Sequence, residues 1–284
     1  MSRFPGRDLL LGCTNESAVL LARGTSTPLE VLASADLDPS THASIEALCG
    51  LVAELKSTKT VSIASRSALS VIMDDSAARS FIVTPPGGAQ GLAELRATVA
   101  ARFAALYGES PEEWLLAADW HAAAPFIACA LPRRLYREFE DAARANGWRL
   151  VCVRPALVQV WNRVCRSIPA DGWLIVGFGK TLTLVHTLGA QLASLRTVRL
   201  PEAPGVAELV ELIEQERLRS PMPGAQRDRQ SLLWSGSADW LPETPTMAGL
   251  ASRTLPLPPL AMTFVHLSEP CQLACQLALA GSPR

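Results

Sequence analysis

Apolar positions change rhythm along the chain, and each change marks an element. Asp8-Leu9-Leu10-Leu11-Gly12 runs into a turn, Ser17-Ala18-Val19-Leu20-Leu21-Ala22 follows, and Leu29 to Leu37 comes after a second turn. Short apolar runs bounded by turn residues predict a β-meander. Behind Pro39-Ser40, residues Ile45, Leu48, Leu51, Val52 and Leu55 recur at helical spacing. Strands are expected at 60–65 and 68–73, then a loop over 74–91 that holds the strand-like Phe81-Ile82-Val83. A helix is expected over 92–107, and two paired strands at 114–120 and 125–131. Pro132-Arg133-Arg134 opens another helix, which Asn146-Gly147 closes. A strand at 150–153 and a helix at 156–165 complete the first half.

The second half starts over in the same way. Trp173-Leu174-Ile175-Val176 enters Gly177-Phe178-Gly179-Lys180, and Thr181 to Leu188 forms the returning strand. Leu192 to Leu200 is a third strand, and Val206, Leu209, Val210 and Ile213 line one face of a helix over 205–218. Residues 220–230 read as a polar, mobile loop, Leu232-Leu233-Trp234 as a strand into Ser235-Gly236-Ser237, and 242–259 as Pro-rich and irregular. A terminal helix spans 268–281. LLLGCTNESAVLL and LIVGFGKTLTLV share one scheme of apolar run, glycine, small residues and second strand. That echo predicts a duplicated α/β lobe with a cleft between the copies.

Composition narrows the function classes. With 49% hydrophobic and 19% charged residues the chain can build a large core. A net charge of −1 excludes a broadly electrostatic nucleic-acid binder. Seven cysteines without a CxxC pair read as reduced thiols of a cytoplasmic protein. MSRFPGRDLLLGC is too short and interrupted for a signal peptide, and no stretch reaches the roughly 20 apolar residues of a bilayer span. Membrane association would therefore go through a partner.

The candidate chemistry sits in the glycine turns, since bare N–H groups can cradle a phosphate. Lys180 follows Gly179, but a P-loop would need glycine where Leu174 stands. A solvated lysine is the simpler reading. His121 and His186 lack an acid or nucleophile partner, and no G-x-S-x-G occurs. Arg133, Arg134 and Arg137 read as a solvated helix face, and Trp114, Trp120, Trp148 and Trp161 as core aromatics. Cys271 and Cys275, with His266 and Glu269 nearby, match no familiar zinc spacing, so no metal site is expected.

Several segments together resemble the actin/hexokinase-like fold, and within it the PilM-like and GspL-like cytoplasmic proteins of type IV pilus and type II secretion machines. They are Ala130-Leu131-Pro132 with its helix, Gly147-Trp148-Arg149-Leu150 to Arg154-Pro155, the hairpin Gly172 to Arg196, Leu232 to Ala238, and Ala274 to Gly281. The resemblance implies an α/β, two-lobed, duplicated RNase H-like fold with mixed sheets and flanking helices. It would divide into a first lobe over 1–167, with inserted strands at about 60–131, and a second over 168–284, whose terminal helix 268–281 packs back on the core. Active members of the fold carry a D-x-G turn in each half, whose aspartates organise Mg²⁺ around ATP. Here Gly12 stands in the first Asp place and Thr14 in the Gly place. Gly177 takes the second Asp place and Gly179 keeps its glycine. Mg²⁺ needs oxygen ligands, usually a carboxylate among them, and glycine supplies none. The resemblance thus implies a degenerate nucleotide cleft of Gly12, Thr14, Gly177, Gly179, Lys180, Thr181 and, on the adenosine side, Gly236, with no catalytic residue and no cofactor. It also implies a cytoplasmic scaffold, peripheral to the inner membrane, that holds the tail of a PilN-like membrane protein. A secretion assembly ATPase and self-association are further partners compatible with it. Two alternatives stay open: an active ATP-dependent enzyme using Glu16 or Asp171, and a filament-like structural subunit.

Overall fold

The computed structural model describes residues 8–14, 16–23, 29–36, 67–89, 91–220, 230–237, 240–255 and 267–280. The described residues fall into two compact units. The first lies within Met1–Ala77, Pro132–Gln159 and Leu257–Arg284, the second within Ala78–Leu131 and Val160–Pro256. The units therefore interleave along the chain. The inserted segment after Ala77 groups with the second unit, whereas the sequence places it in a first lobe ending at 167. The helix expected behind Pro39 and the strand at 60–65 lie outside the described residues.

In chain order the strands of the first half are β1 (Asp8–Cys13), β2 (Ser17–Arg23), β3 (Glu30–Asp36), β4 (Ala68–Met73), β5 (Arg79–Val83), β6 (Trp114–Ala118), β7 (Phe126–Pro132) and β8 (Arg149–Pro155). Those of the second half are β9 (Gly172–Phe178), β10 (Thr181–Leu188), β11 (Gln191–Arg199), β12 (Ser231–Ser237), β13 (Thr246–Met247) and β14 (Leu250–Leu255). The helices are α1 (Leu92–Tyr107), α2 (Arg133–Ala145), α3 (Ala156–Val164), α4 (Val206–Arg219) and α5 (Glu269–Ala280).

The echo between the halves becomes explicit in strand order. One sheet runs β3-β2-β1-β4-β8 and the other β11-β10-β9-β12-β14, with β13 added at its edge. In each, three strands form an antiparallel meander, and the next two join parallel to the first. Parallel partners need crossover segments. The expected fold class is thus present: α/β, with mixed sheets and flanking helices.

In the first unit α5 lies on β1 and β2. Cys271, Ala274, Cys275 and Ala278 pack against Leu10, Val19 and Leu21. In the second unit Trp173, Ile175, Leu182, Leu184, Leu232 and Trp234 of the sheet meet Leu209 and Ile213 of α4. The inserted strands form their own sheet, ordered β5-β7-β6. Phe81, Val83, Phe126 and Trp114 pack there against Leu95, Val99 and Phe103 of α1. Helix ends obey local chemistry. Gly108 closes α1 in the left-handed region, where its N–H reaches Ala104 O, and Gly147 follows α2 at φ +70° as the Asn-Gly pair predicts.

One sequence expectation is corrected here. The Pro-rich stretch from 242 to 259 is not uniformly irregular, because β13 and β14 form a hairpin inside it and β14 extends the sheet beside β12. Prolines flank these strands rather than interrupt them. The turn uses Ala248 and Gly249, both at positive φ, the pair of conformations that a two-residue hairpin favours. No helix among the described residues is long and apolar enough to cross a membrane.

Candidate functional site

In the first unit, the turn between β1 and β2 is closed on itself. Thr14 is buried, and its Oγ1 accepts the N–H groups of Glu16 at 3.2 Å and Ser17 at 2.9 Å. Its O–H in turn donates to Ser17 O at 3.2 Å, so the hydroxyl proton that could meet an anion is spent inside the turn. Ser17 Oγ donates to Pro270 O at 2.6 Å, which ties the turn to the start of α5. Gly12 lies two residues before Thr14, inside β1, on the face that α5 covers. A Cβ there would lie 2.8 Å from the carbonyl carbon of Ala274 and 3.0 Å from Ala278 N, and closer still to Ala274 O. Position 12 is therefore a seat for helix backbone, with room for no side chain at all.

In the second unit, the turn between β9 and β10 is filled by an indole. Gly179 takes φ +53° as the first central residue of a two-residue hairpin, a conformation cheap only for glycine. Its N–H goes to Ser237 O at 3.3 Å, and its carbonyl accepts Trp240 Nε1–H at 2.9 Å. A Cβ on Gly177 would meet Trp240 Cη2 at 2.9 Å and Leu241 Cδ2 at 3.3 Å. Gly236 pairs with Gly177 across β12 and β9, and the two backbones nearly touch. Gly177, Gly179, Thr181 and Gly236 are thus brought together, Thr181 as a buried side chain. Lys180 is exposed at the tip, and its carbonyl accepts Leu200 N–H at 2.8 Å.

Trp240 is the residue that sequence reasoning missed. Its only signal is a tryptophan four residues past Gly236, in a stretch to which no element is assigned. Truncating it to alanine removes the ring over Gly177 and one hydrogen bond from a half-buried site. The expected loss is about 2 kcal/mol of unfolding free energy, together with a shift in intrinsic fluorescence, measured by urea titration.

The two acids of the enzyme alternative divide. Asp171 does not lie beside the Gly179 turn. Its carboxylate accepts Gly189 N–H at 2.8 Å, at the opposite end of β9 and so about 20 Å away along an extended strand. Glu16 remains in the first turn. Two buried acids unnoticed in the sequence, Asp74 and Asp75, follow β4 at the same end of that sheet. Asp74 N–H donates to Cys13 O at 2.8 Å, and its carboxylate accepts Ser76 N–H at 2.8 Å. Asp75 accepts Leu157 N–H at 2.8 Å in the first turn of α3, where a carboxylate also complements the helix dipole.

No cluster of three or more metal-ligating side chains occurs among the described residues. Cys271 and Cys275 are buried, and burial raises both thiols, Cys275 to about 12. Both therefore stay protonated at neutral pH, and Cys271 Sγ donates to Asp36 at 3.2 Å. His266 lies outside the described residues.

His186 is structural. It is fully buried and stacks on Trp173 with ring centroids 4.3 Å apart. Trp173 Nε1–H, a pure donor, points at Gln230 Oε1 at 3.3 Å, so the Gln230 amide nitrogen faces His186 Nε2 at 2.8 Å. Nε2 then accepts, and Nδ1–H is left to donate to Ser220 Oγ at 3.1 Å. Burial holds this neutral ring down to about pKa 4, although Asp171 pulls the other way. The unfolded imidazole titrates near 6.5 and so binds the proton first as pH falls. Stability should therefore be intact above about pH 6.5 and fall by up to about 3 kcal/mol toward pH 4. Urea titrations across that window check this, and His186→Gln should flatten the slope. The expected polar loop beside these residues, 221–229, lies outside the described residues.

Strand order, duplicated meanders and glycine turns together define a protein of the actin-like ATPase fold whose two turns are occupied by its own groups. Solved structures agree on the fold. The cytoplasmic domain of EpsL, an inner-membrane component of the Vibrio cholerae type II secretion system, matches with TM-score 0.50 and 17% identity over 96% of this chain and 93% of that one. A chain of the PilM–PilN type IV pilus biogenesis complex matches with TM-score 0.57 and 15% identity over 97% and 99%. A Bacteroides thetaiotaomicron protein with an actin-like ATPase fold and unknown function matches with TM-score 0.53 and 10% identity over 84% and 86%. No protein-family model and no curated protein sequence matches the chain.

Proposed function

We propose that this protein is a non-catalytic cytoplasmic scaffold of a type II secretion or type IV pilus assembly platform. It lies against the inner membrane and holds the short cytoplasmic tail of a PilN-like membrane protein. A secretion assembly ATPase is a second candidate partner. The observation that carries the non-catalytic reading is Trp240, whose indole fills the second glycine turn and whose N–H is bonded to Gly179 O. Thr14 supports it from the first turn, where its O–H donates to Ser17 O and its oxygen accepts the turn's N–H groups. The secretion or pilus assignment draws on likeness along nearly the full length of two such components, the EpsL domain and the PilM–PilN chain.

Calorimetry with Mg-ATP tests the first part. No binding is expected, and tight binding with turnover would overturn it. Affinity purification from membranes tests the second, with a single-span inner-membrane assembly protein expected in the eluate and its absence counting against the assignment. The alternative is an active ATP-dependent enzyme. It would rest on Glu16, Asp74 and Asp75 at one end of the first sheet, and turnover abolished by Glu16→Gln would establish it.

A further inference from the structure

An open groove of about 400 Å³ lies in the second unit, between the start of α4 and the segment leading into it. Its floor is apolar, built from Leu200, Pro201, Pro204, Leu209 and Leu212. Leu209 is fully buried beneath, and Leu200 and Leu212 continue into the core cluster. Val206, the first residue of α4, is 59% exposed on the same helical turn. The volume is in the range of sites that hold a few side chains of a ligand.

Its charge is one-sided. Glu202, Glu208 and Glu211 line it. Between Pro201 and Gln215 the chain carries four glutamates and no Lys, Arg or His, against a net charge of −1 for the whole molecule. Glu208 has a structural reason to be acidic. It reaches back to Gly205 N–H at 2.9 Å and sits in the first turn of the helix, where the dipole favours a negative charge. Neither reason explains Glu202, which precedes the helix, or Glu211, whose carboxylate accepts the Gln215 amide one turn along the helix.

We infer that this groove docks a short segment of a partner protein that carries apolar side chains flanked by Lys or Arg. Charge complementarity selects this occupant. Acidic peptides, phosphates, nucleic acid and anionic lipid surfaces all meet the carboxylates as like charges. Single exposed ion pairs contribute little, about 0–1 kcal/mol each, and are screened by salt. The apolar surface of Leu200, Pro201 and Leu212 therefore supplies most of the affinity, and the glutamates select the partner's sign and speed its approach. The inference concerns the second unit alone and does not depend on which assembly system the protein serves.

The test is fluorescence anisotropy of the full chain with a labelled peptide of alternating leucine and lysine. Two control peptides replace every lysine by glutamate or every leucine by serine. Saturable binding is expected only for the leucine–lysine peptide. It should weaken at least tenfold with E202K/E211K, weaken further as salt is raised, and stay unchanged with E140K on α2. Both groove substitutions are at exposed carboxylates, and unchanged denaturation curves would confirm that the fold is kept. Equal binding by the double variant, or no binding of the leucine–lysine peptide to the unaltered chain, overturns the inference. So does concentration-dependent self-association that E202K/E211K abolishes while peptide binding stays intact, because the groove would then be an interface between copies.

Discussion

Replacing Gly12 by aspartate is expected to dislodge the C-terminal helix and to lower unfolding free energy by about 4 kcal/mol or more, a large share of the roughly 5–15 kcal/mol typical of a domain. The resemblance to active members of the fold makes this the acid one would restore to rebuild a metal site. Here the first added carbon already lies 2.8 Å from Ala274 C and 3.0 Å from Ala278 N. Both are backbone atoms of α5, so no side chain can rotate away, and the helix must move as a body. That movement breaks the packing of Cys271, Ala274, Cys275 and Ala278 on Leu10, Val19 and Leu21. It also strains the Ser17 to Pro270 bond. Gly12→Ala should show most of the loss, which would separate steric from charge effects. Gly87→Ala, where an added Cβ meets nothing within 4 Å, serves as the neutral control and should stay within about 0.5 kcal/mol. Denaturant titration reads the stability, and hydrogen exchange along α5 reads whether that helix is released. A Gly12→Asp chain that unfolds like the parent would contradict the close seat of the helix.

Gly236→Ala should cost nearly as much, about 3–5 kcal/mol, for two reasons that add. The residue sits at φ +145°, a region that L side chains rarely enter and that costs about 1–3 kcal/mol. A Cβ there would also lie 2.7 Å from Gly177 C and 2.8 Å from Gly177 N, on the neighbouring strand β9. Overpacking against backbone adds a further 1–3 kcal/mol or so. The register of β12 on β9 would have to open at its end, freeing the Gly179 N–H from Ser237 O and disturbing Trp240 above it. Denaturation and Trp fluorescence should therefore change together. A stable Gly236→Ala protein with an unaltered Trp240 signal would show that the two glycine backbones are not held in contact.

Much of the fold was legible because it is written in local periodicity. The meander of β1 to β3, helices α1, α2 and α4, the hairpin of β9 and β10, and the terminal helix all appear as apolar rhythms bounded by Gly, Pro or Asn. Two short strands were hidden among prolines. A two-residue strand such as β13 has too few positions to show alternation, and β14 is recognisable only from its parallel pairing with β12. The unit membership of the insertion after Ala77 was likewise invisible, since it depends on which surface the small sheet meets.

The candidate site divides along the same line. By itself the sequence determined the duplicated order of elements, the presence of glycine turns in both halves and the lack of a carboxylate at Gly12 and Gly177. Those are properties of residue type and spacing along the chain. Only the tertiary structure decided why the glycines are there. The groups that exclude side chains come from far along the chain: Trp240 over Gly177, Gly177 against Gly236, and the backbone of α5 against Gly12. Asp171 shows the converse, an acid near the turn in sequence but removed from it by the length of an extended strand. Close packing of backbone on backbone leaves no periodic trace, because a glycine needed for a turn and a glycine needed for a neighbour are the same letter.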